Sequence, residues 1–346
     1  MNPLADDMNH ILAHTNGLWE DLRDQRIFIT GGTGFFGCWL LESFAWANAK
    51  LDLNATALVL TRNYDAFLKK APHLATNPAI RFQVGDVRDF EFAEGDFPFV
   101  IHAATEASAR LNEEQPRLML DTIIEGTRHT LEFARHAGTK HFLFTSSGAI
   151  YGKQPPAMTH VPEEYGGGPD PGDAASAYGA GKQAAEMLCM TYAKQHGFHA
   201  KIARGFSFVG PYLPIDIHYA IGNFIRDGLR GRPVEVKGDG TPHRSYLYAA
   251  DLAVWLWTIL FRGESCYPYN VGSDRDVTVE QLAALVANCF EPACAIRVRE
   301  QPRAEHPPER YVPSIRRAAE LNLAVHTELR EAIERTTNWY RLRNPR

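Results

Sequence analysis

The sequence predicts an α/β fold in which a doubly wound parallel sheet is joined to a smaller C-terminal α/β lobe. Three observations predict it. A glycine-rich turn, Thr30-Gly31-Gly32-Thr33-Gly34-Phe35-Phe36-Gly37, follows a short apolar run and precedes a helical pattern. Short apolar runs then alternate with helical stretches as far as about residue 205, the rhythm of a sheet whose strands are joined by helical crossovers. Beyond that point Pro211, Pro214, Gly228, Gly231, Pro233, Gly238, Gly240 and Pro242 cut the chain into short segments. Strand, turn and helix in that order make a Rossmann-like unit for binding a dinucleotide.

Taken in order, residues 1–24 carry spaced apolar positions (Ile11, Leu12, Leu18, Trp19, Leu22) and read as a helical extension packed outside the first strand. Arg26–Thr30 is that strand, and a helix is under way from Trp39. Further apolar strands are expected at 57–60, Ile80–Val84, 99–103 and 141–146, with helices between them that include 117–137. The dinucleotide-binding domain is therefore placed at 25–205. Residues 206–346 are expected to form mainly a substrate-binding lobe. A helix at 253–261, a strand at Pro268–Val271 and a helix at 279–289 lie in this half, and some of these elements return to the first domain. Trp255 and Trp257 read as core.

The 346 residues are 45% hydrophobic and 22% charged, enough to bury a large core. A net charge of -5 with no long basic block argues against a nucleic-acid partner. The first residues lack the basic and apolar regions of a signal peptide. No apolar run approaches the ~18 residues that cross a bilayer, so a cytoplasmic protein with no membrane partner is expected. Cys38, Cys189, Cys266, Cys289 and Cys294 are odd in number and scattered. They suggest neither a disulfide framework nor a metal site.

Tyr178 and Lys182 stand four residues apart in Ser-Ala-Tyr-Gly-Ala-Gly-Lys. On a helix that spacing puts phenol and ammonium on one face, and the cation is expected to hold the phenol below its usual pKa of ~10. Such a tyrosine passes a proton to or from a sugar hydroxyl near neutral pH. Ser147, at the carboxyl edge of the 141–146 strand, is placed to hydrogen-bond the same oxygen.

In the turn, Gly31, Gly34 and Gly37 let the backbone approach a pyrophosphate, with Thr33, Phe35 and Phe36 completing the cradle at the helix start. The second strand ends in Thr61-Arg62-Asn63, without the acid that accepts ribose hydroxyls of NAD. Arg62 either faces a 2′-phosphate, stacks on adenine or lies in solvent, so both NAD and NADP stay open. Asp86 and Val87 follow the third strand, where they reach the adenine edge, and Ala103 and Ala104 follow the fourth, where a flat cofactor passes. Arg244 offers a planar fork of donors for a substrate diphosphate. Asp216, His218 and Asn223 are further substrate-facing candidates.

These motifs together resemble the extended short-chain dehydrogenase/reductase family, in its NAD(P)-dependent nucleotide-sugar epimerase and dehydratase branch. The likeness runs from about residue 25 to about 340. It includes the glycine turn, Gly85-Asp86-Val87-Arg88, Ser146-Ser147-Gly148-Ala149-Ile150-Tyr151-Gly152 and Tyr178-Gly179-Ala180-Gly181-Lys182. It also includes Phe208-Val209-Gly210-Pro211, Gly238-Asp239-Gly240 through Arg244, Asp251-Leu252-Ala253 and Tyr269-Asn270-Val271-Gly272. The resemblance implies that Ser147, Tyr178 and Lys182 are catalytic, that Arg244 holds the nucleotide diphosphate, and that hydride leaves a sugar carbon, commonly carbon 4. It also implies a homodimer built on the tyrosine helix and the helix at 117–137.

Departures from the family pattern narrow the chemistry. Sugar 4,6-dehydratases carry an Asp-Glu pair, and uronic-acid decarboxylases a Glu, just after the serine position. This chain has Gly148 and Ala149 there. A dehydratase needs groups to protonate a leaving hydroxyl and to abstract a proton, so the sequence favours a 4-epimerase unless Asp216, His218 or Glu106 substitutes. A 4-keto-sugar reductase, a dehydratase, a decarboxylase and a non-catalytic dinucleotide-binding regulatory module are the alternatives. Ile123 and Ser207 also stand where the family commonly has asparagine.

Overall fold

A computed structural model describes residues 2–105, 109–217, 219–301 and 307–343. The chain forms two compact units. One comprises Met1–Gly152, Gly168–Gly205 and Ala253–Tyr269, the other Lys153–Gly167, Phe206–Leu252 and Asn270–Arg346.

The first unit is built on a parallel sheet. Its strands are β1 (Arg26–Thr30), β2 (Thr56–Thr61), β3 (Ile80–Val84), β4 (Phe99–His102), β5 (His141–Ser147) and β6 (His199–Gly205). They pair in the order β3-β2-β1-β4-β5-β6, each pair parallel, and Pro268–Val271 adds a seventh strand beside β6. All four residues of β4 and the last six of β5 are buried, because helices cover both faces of such a sheet and its strands become continuous apolar runs. The strand order reverses between β1 and β4. A crevice therefore opens outside their carboxyl ends, where doubly wound folds bind ligands.

The helices of this unit are α1 (Ala5–His14), α2 (Phe35–Lys50), α3 (Tyr64–Lys70), α4 (Pro72–Ala75), α5 (Ala109–Glu114), α6 (Pro116–His136) and α7 (Ala177–His196). α2 begins at Phe35, earlier than the apolar pattern from Trp39 suggests, so the glycine turn runs straight into the helix. Pro116 opens α6 at a position whose N–H has no helical partner to lose. Gly197, left-handed at φ 78°, closes α7.

Aromatic packing beneath the sheet holds these elements in register. Phe28, Phe97 and Phe133 are fully buried, and the Phe28 and Phe133 rings lie 4.4 Å apart; burial of one such side chain stabilises by about 1.5–3 kcal/mol. The N-terminal segment packs in a separate aromatic cluster with Trp257 and Phe261. Trp19 donates its indole N–H to the Thr15 hydroxyl at 2.8 Å and packs 4.7 Å from the ring of Trp257, which itself donates to Ser43 at 2.8 Å.

In the second unit, Asp276–Thr278, His243–Ser245 and Arg310–Tyr311 form a three-stranded sheet. A capping box between Thr278 and Gln281 starts the helix Val279–Ala287. Among the described residues no helix is long and apolar enough to cross a membrane. All five cysteines are free thiols, with Cys38 and Cys189 buried.

Candidate active site

The turn after β1 requires glycine for steric reasons. Gly31 has φ +71°, and a Cβ there would lie 2.3 Å from the Ala103 carbonyl oxygen; a Cβ on Gly37 would lie 2.3 Å from Gly32. The turn is thus pressed against β4 on one side and against its own helix on the other. α2 starts with no side-chain cap, so the first-turn amides of Phe35, Phe36 and Gly37 point their partial positive charge at the turn. This cradle fits a dinucleotide pyrophosphate. Lys70 of α3 donates to the Thr33 carbonyl at 2.9 Å and braces the turn from outside.

Around the cradle, Ala103 and Ala104 donate their N–H groups to the carbonyl and the hydroxyl of Thr30 at 3.1 and 3.2 Å, which draws the end of β4 against β1. Arg62 is exposed just past β2. Asp86 is gripped by Arg88, whose Nε and Nη2 donate at 2.8 and 3.1 Å. That hydrogen bond, opposed by partial burial and aided by the charges of Arg88 and Arg62, holds the Asp86 carboxyl below its ordinary range. Arg62 and Asp86 therefore lie within electrostatic reach of each other. Val87 is buried against the core.

Behind the cradle, His102 at the end of β4 is 1% exposed. Its ring nitrogens meet the hydroxyls of Thr30 at 2.7 Å and Thr127 at 3.1 Å. Burial, with the Lys182 charge adding to it, pushes the ring down to about 3, so it is neutral at physiological pH.

The proton-handling residues converge at the carboxyl end of β5. Ser147 is its last residue; the Ser147 hydroxyl accepts the Ala149 N–H at 3.2 Å and is close enough to the Tyr178 phenol to favour its ionised form. Tyr178 lies in the first turn of α7, whose start is anchored by Asn112: its amide oxygen accepts the Tyr178 N–H at 2.9 Å and its amide nitrogen donates to the Ala175 carbonyl at 2.6 Å. Gly179 keeps the helix close, since a Cβ there would lie 2.6 Å from the Ala149 carbonyl. Lys182, 2% exposed, donates to the Thr105 hydroxyl and the Thr145 carbonyl, each at 2.8 Å.

Electrostatics correct one sequence expectation. Burial raises the Tyr178 phenol, and the Ser147 hydrogen bond opposes that shift. The lysine supplies no dominant pull, because its nitrogen is 6.0 Å from the phenol ring centroid and is bonded toward β5. Lys182 itself is driven by burial down to about 7, against the charge of Glu186 and the Cys189 thiol. At neutral pH the lysine is therefore balanced between ammonium and amine.

Arg244, Asp216 and Asn223 belong to the second unit. The Arg244 guanidinium donates to the His243 carbonyl at 2.8 Å and lies 3.6 Å from Glu309. Asp216 pairs with Arg230 at 3.1 Å, both side chains being exposed, and the Asn223 amide oxygen accepts from Arg226 at 2.8 Å. His218 and Glu106 lie outside the described residues. Sequence reasoning did not find Thr105 or Asn112, and it assigned no role to Glu186 or Arg204, which carry the buried charges beside the lysine. None of the four has a local signal, because each acts through a partner distant in sequence or across the sheet.

Comparisons with known proteins identify the family and the fold. Residues 27–272 match the model of the NAD dependent epimerase/dehydratase family. UDP-glucuronic acid decarboxylase 6 of Arabidopsis thaliana is 30% identical over 321 residues, 92% of this chain and 90% of the plant protein. The UDP-glucose 4-epimerase of Thermus thermophilus in complex with NAD superposes with a TM-score of 0.74 at 25% identity, covering 92% of this chain and 99% of that one. A dTDP-glucose 4,6-dehydratase from Streptomyces venezuelae with NAD bound gives a TM-score of 0.75 at 23% identity, covering 92% and 97%.

Proposed function

Because the chain belongs to the NAD-dependent epimerase/dehydratase family, we propose that it acts on a nucleotide-activated hexose or hexuronic acid by reversible oxidation of a sugar carbon. In its simplest form this is 4-epimerisation serving polysaccharide or glycoconjugate synthesis. The carrying observation is that Ser147 and the helix bearing Tyr178 and Lys182 meet at the carboxyl end of β5, with Gly148 and Ala149 following in place of carboxyls.

A nicotinamide dinucleotide, when bound, supplies the hydride acceptor. In this reading Gly31, Thr33, Gly34, Phe35, Phe36 and Gly37 hold its pyrophosphate, Arg62, Asp86 and Val87 its adenosine end, and Ala103 and Ala104 its path along the sheet edge. Tyr178 Oη takes the proton from the sugar hydroxyl as the carbon is oxidised and returns it on reduction, while Ser147 Oγ holds the same hydroxyl. Ser147 also favours the phenolate that burial disfavours, and Lys182 ties the tyrosine helix to β5. Arg244 is the candidate bidentate partner of the diphosphate, and Asp216, His218 and Asn223 are the candidates for contacts to the substrate. An epimerase needs no further acid, which suits a site whose position 149 carries a methyl group.

The family likeness also supports a cytoplasmic homodimer paired through α6 and α7. Incubating the purified chain with UDP- and dTDP-hexoses and with UDP-glucuronic acid, and identifying products by NMR, tests the reaction. The expected product is the 4-epimer without net NADH accumulation. A UDP-pentose with carbon dioxide would assign a decarboxylase, as in the Arabidopsis relatives, and a 4-keto-6-deoxy sugar a dehydratase. Stoichiometric NADPH consumption on a 4-keto sugar would assign a reductase, and no turnover on any of them a binding module.

A further inference from the structure

Tyr178, Lys182 and Glu186 succeed one another at intervals of one helical turn on α7. Glu186 is 4% exposed and Arg204, on β6, 8%. The guanidinium meets the carboxylate in a two-pronged pair, Nε to Oε1 at 3.0 Å and Nη2 to Oε2 at 2.7 Å. Two further bonds tie this pair to the serine segment. Ser146 donates to Glu186 Oε1 at 2.5 Å, and Arg204 Nη1 donates to the Tyr151 hydroxyl at 2.8 Å. Ser146 and Arg204 are register partners across β5 and β6. The pair therefore holds both the residue preceding Ser147 and the far end of the short 3-10 turn that Ser147 caps.

We propose that Glu186 and Arg204 are positioning residues for proton transfer: the buried pair grips Ser146 and Tyr151 on either side of Ser147 and so seats the Ser147 hydroxyl against Tyr178. This rests on the reading of Tyr178 and Lys182 as the proton-handling couple. A buried ion pair is weak as a source of stability, since well-packed apolar residues often replace it without loss. These charges have a second use within reach. The groups facing Lys182 are Glu186 and Cys189 from its own helix, Tyr178 one turn earlier, the Thr145 carbonyl of β5, Thr105, the neutral ring of His102 on β4, and the Phe144 ring 4.7 Å from its nitrogen. Glu186 is the carboxylate in that set, and it raises the lysine against burial. Arg204 pairs with Glu186 on the side toward the sheet.

The test needs no substrate, so it is independent of which sugar is used. Full-length protein labelled with 13Cζ-tyrosine is titrated by NMR, the Tyr178 resonance being identified by its loss in Tyr178→Phe. In the apolar double variant Glu186→Leu with Arg204→Met no net charge is added, Ser146 and Tyr151 lose their anchors, and the Tyr178 titration is expected to move up by about one pH unit as the Ser147 interaction that favours the phenolate is loosened. Glu186→Asp, which preserves the charge, is expected to stay within about 0.3 unit even if it melts earlier. The pair Glu186→Gln with Arg204→Gln is likewise neutral but can still hydrogen-bond Ser146 and Tyr151, so its Tyr178 titration is expected to stay close to that of the unaltered chain, and it serves as the folded control. A Tyr178 titration unmoved in the folded apolar double variant would overturn the proposal and leave the pair a packing element. Failure of the epimerase reading shows only in the product assays.

Discussion

Lys182 donates to the backbone carbonyl of Thr145 at 2.8 Å, two residues before Ser147. The bond ties the helix that carries the phenol to the strand that carries the hydroxyl, so a small shift of α7 along the sheet would separate Tyr178 from Ser147. Together with the Thr105 bond, also 2.8 Å, it engages two of the three ammonium donors and fixes where the remaining one points.

Tyr178→Phe keeps the ring in place and removes the oxygen that carries the proton. Turnover should fall by about 10²–10⁴-fold, with dinucleotide affinity unchanged because the cradle lies in α2 and its turn. Product assays beside calorimetric titration with NAD and NADP check both halves; undiminished turnover would reject Tyr178 as the proton carrier.

His102 is neutral in the fold down to about pH 3 but takes a proton near 6.5 when exposed. The unfolded state therefore binds more protons between these values, and stability is lost as pH falls through that window. His102→Asn should flatten the acid limb of a denaturant-unfolding series by up to about 1.4 kcal/mol per pH unit. A slope identical to that of the unaltered chain would mean that other groups control acid unfolding.

Gly31→Ala places a methyl group where the Ala103 carbonyl oxygen stands, at a φ of +71° that alanine resists. The strain alone costs about 1–3 kcal/mol. The altered chain should melt several degrees lower, by about 2–4 °C per kcal/mol, and purify without dinucleotide. Normal cofactor content with a normal melting temperature would show that the turn is not the pyrophosphate site.

Arg62 replaces the acid that would accept ribose hydroxyls, and its charge is felt by Asp86. Arg62→Ala should weaken NADP by about tenfold or more, the loss of a charge-assisted hydrogen bond, and leave NAD within about twofold. Equal losses for both dinucleotides would place Arg62 on adenine or in solvent instead.

Much of the site was legible along the chain, because local rules govern it. The glycine turn is a conformational requirement of eight consecutive residues. The Tyr178–Lys182 spacing is a property of one helix, and the apolar runs of β1, β4 and β5 announce a sheet covered on both faces. The departure at Gly148 and Ala149 is likewise visible without coordinates.

Other features depend on residues that meet only after the chain has folded. Asn112 reaches Tyr178 from α5, Thr105 reaches Lys182 from the end of β4, and Arg204 reaches Glu186 from β6. The ionisation of the couple belongs to the same class. From spacing alone the ammonium should depress the phenol, yet burial raises Tyr178 and drives Lys182 down to about 7. Sequence therefore determined which groups are present and which share a helix face. Tertiary structure decided their protonation and aim, because desolvation and hydrogen bonding depend on what surrounds an atom in three dimensions.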